Sequence, residues 1–192
     1  MNVLVVGGGG REHAICWSLA KSGKISGLYC APGNAGIARI AECVPIGPMQ
    51  FDELVRFARD HGIDLVVVGP DDPLAGGIVD AFGAAGIPAF GPNKAAAEIE
   101  ASKIFMKNLL RKYGIPTARY ETFDDYDKAL AYLRTQQAPI VVKADGLATG
   151  KGVTVARTME EAEEALRRMM IERVFGASGT RVVIEEFMEG QE

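Results

Sequence analysis

A strand-like run, Pro139-Ile140-Val141-Val142-Lys143, leads straight into Ala144-Asp145-Gly146-Leu147-Ala148-Thr149-Gly150-Lys151-Gly152. A lysine therefore closes an apolar strand, and a second lysine sits in a loop with three glycines. That pattern suits an anion held by backbone amides. Glycine lets the main chain take φ > 0 and approach a phosphate, and successive N–H groups then form a cationic concavity. The spacing excludes the Walker A loop, which needs four residues between its glycines and Ser or Thr after the lysine. Here three residues separate Gly146 from Gly150, and Gly152 follows Lys151. The plain alternative is a glycine-rich hairpin turn between Val142 and Val153 with solvated lysines. Hairpins, however, normally close with about two to five loop residues and need no paired lysines.

Other residues could complete such a site. Lys103, Lys143 and Lys151 can each neutralise a phosphate oxygen. The run Val183-Ile184-Glu185-Glu186-Phe187-Met188-Glu189-Gly190-Gln191-Glu192 passes from an apolar strand into an acidic stretch. It could offer a purine its backbone groups and a ribose its carboxylates; the alternative is an edge strand with a solvated acidic tail.

A second glycine cluster, Gly7-Gly8-Gly9-Gly10-Arg11-Glu12-His13, invites a dinucleotide reading and fails it. Glu12 and His13 stand where the third glycine of GxGxxG is needed, and Tyr29-Cys30-Ala31-Pro32 offers no acid to a ribose hydroxyl. A phosphate at a helix N-terminus remains compatible. His13 reads either as a ligand contact or as a residue hydrogen-bonded within its turn. His61, before Gly62, answers the last carbonyls of a helix.

These residues need elements to hold them. Up to about residue 100 short apolar strands (Val3–Val6, Ile25–Cys30, Leu65–Val68, Ile87–Phe90) alternate with helical runs (Glu12–Lys21, Phe51–Asp60, Ile78–Ala85, Lys94–Glu100). Phe51, Leu54, Val55 and Ala58 form one helical stripe, and Asn93 is placed to cap the last helix. Alternation of this kind implies a parallel sheet covered on both faces, with ligands beyond the carboxyl ends of its strands. Three turns lie there: Gly7–His13, Ala31–Asn34 and Gly69–Leu74. From Ser102 the texture changes. Helices are expected over Ser102–Tyr113, with Gly114 at the C-cap, over Tyr126–Thr135, and from the Thr158-Met159-Glu160-Glu161 capping box to Met170. Strands are expected at Ile140–Lys143, Gly152–Ala156 and Arg181–Glu186, a small α+β unit with an antiparallel sheet.

Composition sets the class. With 192 residues, 48% of them hydrophobic and 24% charged, the chain can bury one large core or two small ones. A net charge of −4 supplies no field for nucleic acid or an anionic membrane, so a phosphate ligand must be captured locally. No apolar run approaches the roughly 18 residues of a membrane span, and the N-terminus lacks the length and charge of a signal peptide. Cys16, Cys30 and Cys43 are odd in number and far apart, which indicates buried small hydrophobes rather than a disulfide framework or CxxC metal site. A cytoplasmic protein is expected.

Taken in order, the motifs resemble those of the ATP-grasp enzymes, and within them the N-terminal part of the glycinamide ribonucleotide synthetase (phosphoribosylamine–glycine ligase) family. The resembling segments are Gly8-Gly9-Gly10-Arg11-Glu12-His13-Ala14, Ala31-Pro32-Gly33-Asn34-Ala35-Gly36, Gly69-Pro70 with Asp72-Pro73-Leu74, Phe90-Gly91-Pro92, Ser102-Lys103, Lys143–Ala148 with Gly150-Lys151-Gly152, and Glu185-Glu186-Phe187. Asp71 stands where the family often has Glu, keeping the charge with a shorter reach.

The resemblance implies an α/β chain. Residues 1–101 would be an N-terminal parallel-sheet, Rossmann-like pre-ATP-grasp domain, and 102–192 the first part of an ATP-grasp domain with a lid subdomain near 120–188. It implies joining of glycine to 5-phosphoribosylamine with conversion of ATP to ADP and phosphate, in purine biosynthesis, by a monomer or weak dimer. By resemblance, Lys103 and Lys143 serve the ATP phosphates, and Asp145, Gly146, Gly150, Lys151 and Gly152 belong to a flexible lid over them. Glu185 would meet the adenine amino group, Phe187 and Met188 would offer backbone to the ring, Glu192 would hold the ribose, and Glu186 would belong to the same ATP site. Gly9, Gly10, Arg11, Glu12, His13, Asn34 and Asp71 would face the phosphoribosylamine. The Mg²⁺ (or Mn²⁺) ligands of the family lie on later strands, so no metal ligand is expected within this chain and no activity from it alone. Alternatives are a purine-pathway carboxylase or formate-using transformylase, a nicotinamide oxidoreductase, and a non-catalytic nucleotide-binding module.

Overall fold

Val3, Leu4, Val5 and Val6 have no exposed surface, so both faces of the first strand, β1 (Asn2–Gly7), must be covered. Helices packed on the two faces of the sheet achieve this, while β2 (Gly27–Pro32) and β4 (Leu65–Val68) pair with its two edges in parallel. The short strands β3 (Glu42–Cys43) and β5 (Ala89–Phe90) complete a five-stranded parallel sheet of order β3-β2-β1-β4-β5. Side chains alternate between two cores. Val3, Val5 and Cys30 pack with Cys16 of helix α1 (Gly10–Ala20) and Ile37. Leu4, Val6 and Val66 pack on the opposite face with Leu54 and Ala58 of α2 (Phe51–Asp60) and with Ile78 and Phe82 of α4 (Ile78–Ala84). Each fully buried Val or Leu contributes about 1.5–3 kcal/mol, so β1 and its four core residues anchor the layer.

The structure is a computed structural model that describes residues 1–148 and 151–191, in two compact units, Met1–Ala97 and Glu98–Glu192. Helix α5 (Lys94–Ala101) carries the boundary, and the Oδ1 of Asn93 accepts from the N–H of Ala96 at 2.9 Å, the expected cap.

The second unit begins with α6 (Lys103–Tyr113), whose N-cap Ser102 accepts from the N–H of Phe105 at 3.1 Å and whose C-cap Gly114 has φ 64°. Its sheet is four-stranded and antiparallel, of order β6-β9-β7-β8, from β6 (Tyr120–Phe123), β7 (Ile140–Ala144), β8 (Val153–Ala156) and β9 (Val182–Glu186). Helices α7 (Tyr126–Leu133) and α8 (Met159–Met170) cover one face, where Leu133, Leu166 and Met169 meet Ile140, Val142 and Ile184. Register places Val141, Lys143, Val153, Val155, Val183 and Glu185 on the other face. Val153 and Val155 are exposed there.

Several elements differ from the sequence expectation. Asp71–Leu74, expected as a turn, is the start of α3 (Asp71–Gly76), with Asp71 and Asp72 in the first turn where the helix dipole favours them. Helix α1 starts at Gly10, not Glu12, because the carboxylate of Glu12 folds back onto the N–H of Gly9 and ties that turn into the helix. Strands β3 and β6 were not anticipated; two residues in one and four of mixed polarity in the other carry too little alternation to signal a strand.

Candidate functional site

In the first unit, the carboxyl ends of β1, β2 and β4 meet, and glycine lets their turns approach closely. The N–H of Gly33 donates to the carbonyl of Gly7 at 3.1 Å, and the Nδ2 of Asn34 donates to the carbonyl of Gly8 at 2.8 Å. A Cβ at Gly8 would lie 2.6 Å from the carbonyl oxygen of Gly33, so no larger residue fits. The Oδ1 of Asn34 accepts from the N–H groups of Gly36 and Ile37, at 2.8 and 3.0 Å, fixing its own turn.

Arg11 donates to the carbonyl of Gly69 at 2.8 Å and lies 3.5 Å from Asp71, with both charged groups about half exposed. Glu12 is 4% exposed, and its Oε2 accepts from the N–H of Gly9 at 2.6 Å; its carboxylate is committed to holding the turn. The ring of His13 lies against Gly36. This turn opens α1 at Gly9 and Gly10, where the first N–H groups of a helix have no intrahelical acceptor and favour an anion.

In the second unit, β7 delivers Lys143 to the open sheet face, where its ammonium pairs with Oε1 of Glu185 on β9. Glu185 is 6% exposed, and its Oε2 lies 2.7 Å from Nζ of Lys107 on α6. Beyond β7, the carboxylate of Asp145 is 4% exposed and fully engaged. Its Oδ1 accepts from Ser102 Oγ at 2.9 Å and from the N–H of Ile104 at 2.8 Å, while its Oδ2 pairs with Arg181 at 2.6 Å. The main chain closes the same joint: Lys103 N–H donates to the Asp145 carbonyl and Asp145 N–H to that of Arg181, at 3.1 and 3.0 Å.

The glycine loop thus springs from a fixed root. Gly146 packs against Ser178, and the N–H of Ala144 donates to the carbonyl of Gly152 at 2.8 Å. Lys103 Nζ donates to the carbonyl of Gly146 at 3.0 Å; burial pushes its pKa below the usual lysine value, opposed by Asp145 and aided by Lys143. Lys151 is exposed. Gly150 and Glu192 lie outside the described residues.

At the end of β9, Glu186 turns to Arg119, accepting from its N–H at 2.9 Å and its Nε at 2.7 Å; the N–H first and the guanidinium next hold the carboxyl below its usual range. Phe187 and Met188 follow, exposed. A groove of about 470 Å³ lies here, lined by Arg119, Tyr132, Gln136, Ile140, Glu186 and Phe187 among others. Ile140 and Glu186 place this groove on the helix-covered side of the sheet, beside α7 and away from Lys143.

The structure therefore brings Lys103, Asp145 and Gly146 together, and Lys143 with Glu185. The expected substrate turn, Gly9–His13 with Asn34 and Asp71, is assembled in the other unit. Lys107, Thr117, Arg119 and Arg181 were missed; Lys107, Arg119 and Arg181 pair with carboxylates far away in sequence, and Thr117 meets only Lys107. Among the described residues no cluster of three or more His, Cys, Asp or Glu could hold a metal, and no helix is long and apolar enough to cross a membrane.

The parallel sheet with a glycine turn at its strand ends, followed by an antiparallel sheet bearing a lysine beside a glycine loop, defines the class as an N-terminal domain joined to an ATP-grasp domain. Family models agree segment by segment: residues 1–100 match phosphoribosylglycinamide synthetase, N domain, and residues 101–192 match phosphoribosylglycinamide synthetase, ATP-grasp (A) domain. The chain belongs to the phosphoribosylglycinamide synthetase family. It is 52% identical over 194 residues to phosphoribosylamine–glycine ligase of Vibrio cholerae and 53% identical over 192 residues to that of Halalkalibacterium halodurans, covering 100% of this chain and 45% of each relative. The crystal structure of phosphoribosylamine–glycine ligase from Thermotoga maritima superposes with a TM-score of 0.80 at 32% identity, over 100% of this chain and 45% of that one. The chain thus spans about half the length of the relatives it matches.

Proposed function

We propose that this chain is the N-terminal half of an ATP-dependent carboxylate–amine ligase that joins glycine to 5-phosphoribosylamine, giving glycinamide ribonucleotide, ADP and phosphate. A carboxylate is a poor acylating agent, so a glycine oxygen first attacks the γ-phosphorus, ADP leaves, and glycyl phosphate forms. The amine then attacks that carbonyl and phosphate leaves. The protein's task is positioning and charge neutralisation. The observation that carries this reading is the ammonium of Lys143 presented on the open sheet face beside the root of a glycine loop, with Lys103 at the same root.

In this proposal Lys103, Lys143 and Lys151 neutralise the phosphates, and Gly146, Gly150 and Gly152 let the loop close over them. Phe187 and Met188 offer backbone to the adenine, Glu185 meets its amino group, Glu186 belongs to the same site, and Glu192 serves the ribose. Asp145 holds the loop's root rather than the nucleotide. Gly9, Gly10, Arg11, His13, Asn34 and Asp71 bind the phosphoribosylamine, its phosphate at the start of α1, on a turn that Glu12 braces. Mg²⁺ ligands are assigned to the part of the relatives' length that this chain does not span. The decisive experiment is ADP release by the full-length native protein, supplied in turn with glycine plus phosphoribosylamine, bicarbonate or formate. Release that depends on glycine and the amine together is expected; dependence on bicarbonate or formate refutes the assignment. The isolated chain is expected to release none.

A further inference from the structure

Lys107 is 4% exposed, which is costly for an ammonium unless it is paired, and its partners explain why it is there. Its Nζ donates to Thr117 Oγ1 at 2.7 Å, stands 2.7 Å from Glu185 Oε2, and lies 5.2 Å from the centre of the Tyr120 ring. Among the described residues no donor meets Oε2 in hydrogen-bonding alignment, so the contact is one of charge. The other oxygen of Glu185 faces Lys143. One buried carboxylate is therefore shared by two ammonium groups of unequal freedom: the side chain of Lys107 is 5% exposed and pinned by Thr117, while that of Lys143 is 27% exposed on the open face.

Resting on the nucleotide site proposed above, we propose that Lys107 is a positioning residue that keeps Glu185 paired so that Lys143 is free to turn to a nucleotide phosphate. The argument is one of competition. An incoming phosphate must draw Lys143 away from Glu185. With Lys107 in place, the carboxylate keeps a counter-ion when Lys143 leaves. Without it, departure strands a buried, unpaired carboxylate, so Glu185 holds Lys143 against the ligand. Lys107 thus raises ATP affinity without touching ATP. It also leaves glycine and the phosphoribosylamine turn unaffected.

The test uses the full-length native protein, with calorimetric ATP binding and steady-state kinetics. Lys107→Met should raise the dissociation constant for ATP on the order of tenfold, within the usual range of coupling between contacting residues, and leave KM for glycine unchanged. In the Glu185→Gln background, where no carboxylate competes for Lys143, the same substitution should add little. Thr117→Val, which loosens the pinned ammonium and keeps every charge, should weaken ATP binding by a smaller factor, and Thr117→Ser should restore it. An unchanged ATP constant alongside a lowered melting temperature, or an equal loss in the Glu185→Gln background, overturns the proposal. If Lys107→Met does not fold, Thr117→Val decides: folded protein with wild-type ATP affinity refutes it. Wild-type protein that binds no ATP instead overturns the nucleotide site itself.

Discussion

Asp145→Asn separates a carboxylate that holds the loop's root from one that serves the nucleotide. The side chain accepts from Ser102 Oγ and from the N–H of Ile104 at 2.9 and 2.8 Å, and pairs with Arg181 at 2.6 Å. Asparagine keeps the acceptor that faces Ser102 and Ile104 but loses the charge, and it turns an NH₂ towards the guanidinium of Arg181. Two hydrogen bonds falling from charged to neutral strength cost about 1 kcal/mol each. Arg181 is 54% exposed, so its ion pair is screened and adds about 0.5–1 kcal/mol. The sum is about 2–3 kcal/mol. For a unit of about a hundred residues that lowers the melting temperature by roughly 10–20 °C.

The effect should be local, which fixes the assay. Trp17, the one tryptophan, lies in the first unit and serves as a control that should not move. Hydrogen exchange of the α6 and β7 amides should accelerate about 30- to 150-fold, the equivalent of that free energy. Asp145→Ala should cost a further 1–3 kcal/mol, because it strands the N–H of Ile104 at the start of α6. A change below about 0.5 kcal/mol, the range of an ordinary surface substitution, refutes the structural role.

Three further outcomes follow from the same geometry. Lys143→Ala in the full-length protein should abolish ATP turnover, and a variant with wild-type kcat removes Lys143 from the site. Burial lowers the pKa of Lys103 from its ordinary 10.5, so the cost of charging it is present in full below the lowered value and is relieved as pH rises from there towards 10.5. A bound phosphate favours the charged form, so ATP affinity should fall as pH rises through that window, while Lys103→Arg, which stays charged, should not show the fall; parallel profiles refute the assignment. Gly33→Ala should destabilise the first unit by about 2–4 kcal/mol in urea, since φ is +72° there and the new methyl meets Cys43, whereas Gly62→Ala, at φ +56° in open space, should cost only about 1 kcal/mol.

Much of the fold was legible because its signals are local. The continuous apolar run Val3–Val6 reads as a strand buried on both faces, and Ser102, Asn93, Thr158 and Gly114 mark helix ends through hydrogen bonds to residues three or four away. Strands β3 and β6 were illegible for the complementary reason: they are set by what they pair with, Tyr29 and Cys30 for one and β9 for the other. The placing of Lys143 at the end of an apolar strand, leading into a glycine-rich loop, was legible from residue type alone. The commitment of Glu12 and Asp145 to hydrogen bonds inside the protein was not, since a carboxylate beside a glycine turn reads the same whether it faces a ligand or a backbone N–H.

Lys107 makes the physical point most sharply. In sequence it resembles Lys103 and Lys112, the other lysines of α6. What separates them is Glu185, 78 positions from Lys107 and brought to it only when β9 pairs between β6 and β7. A buried ammonium is tolerated only because that carboxylate is there, and the carboxylate is tolerated only because two ammoniums share it. Neither half of the arrangement is favourable alone, so neither leaves a local signature. The charges most readily read from a sequence are those in short local motifs; the charges that pair with them are written across distant strands and become visible when the sheet closes.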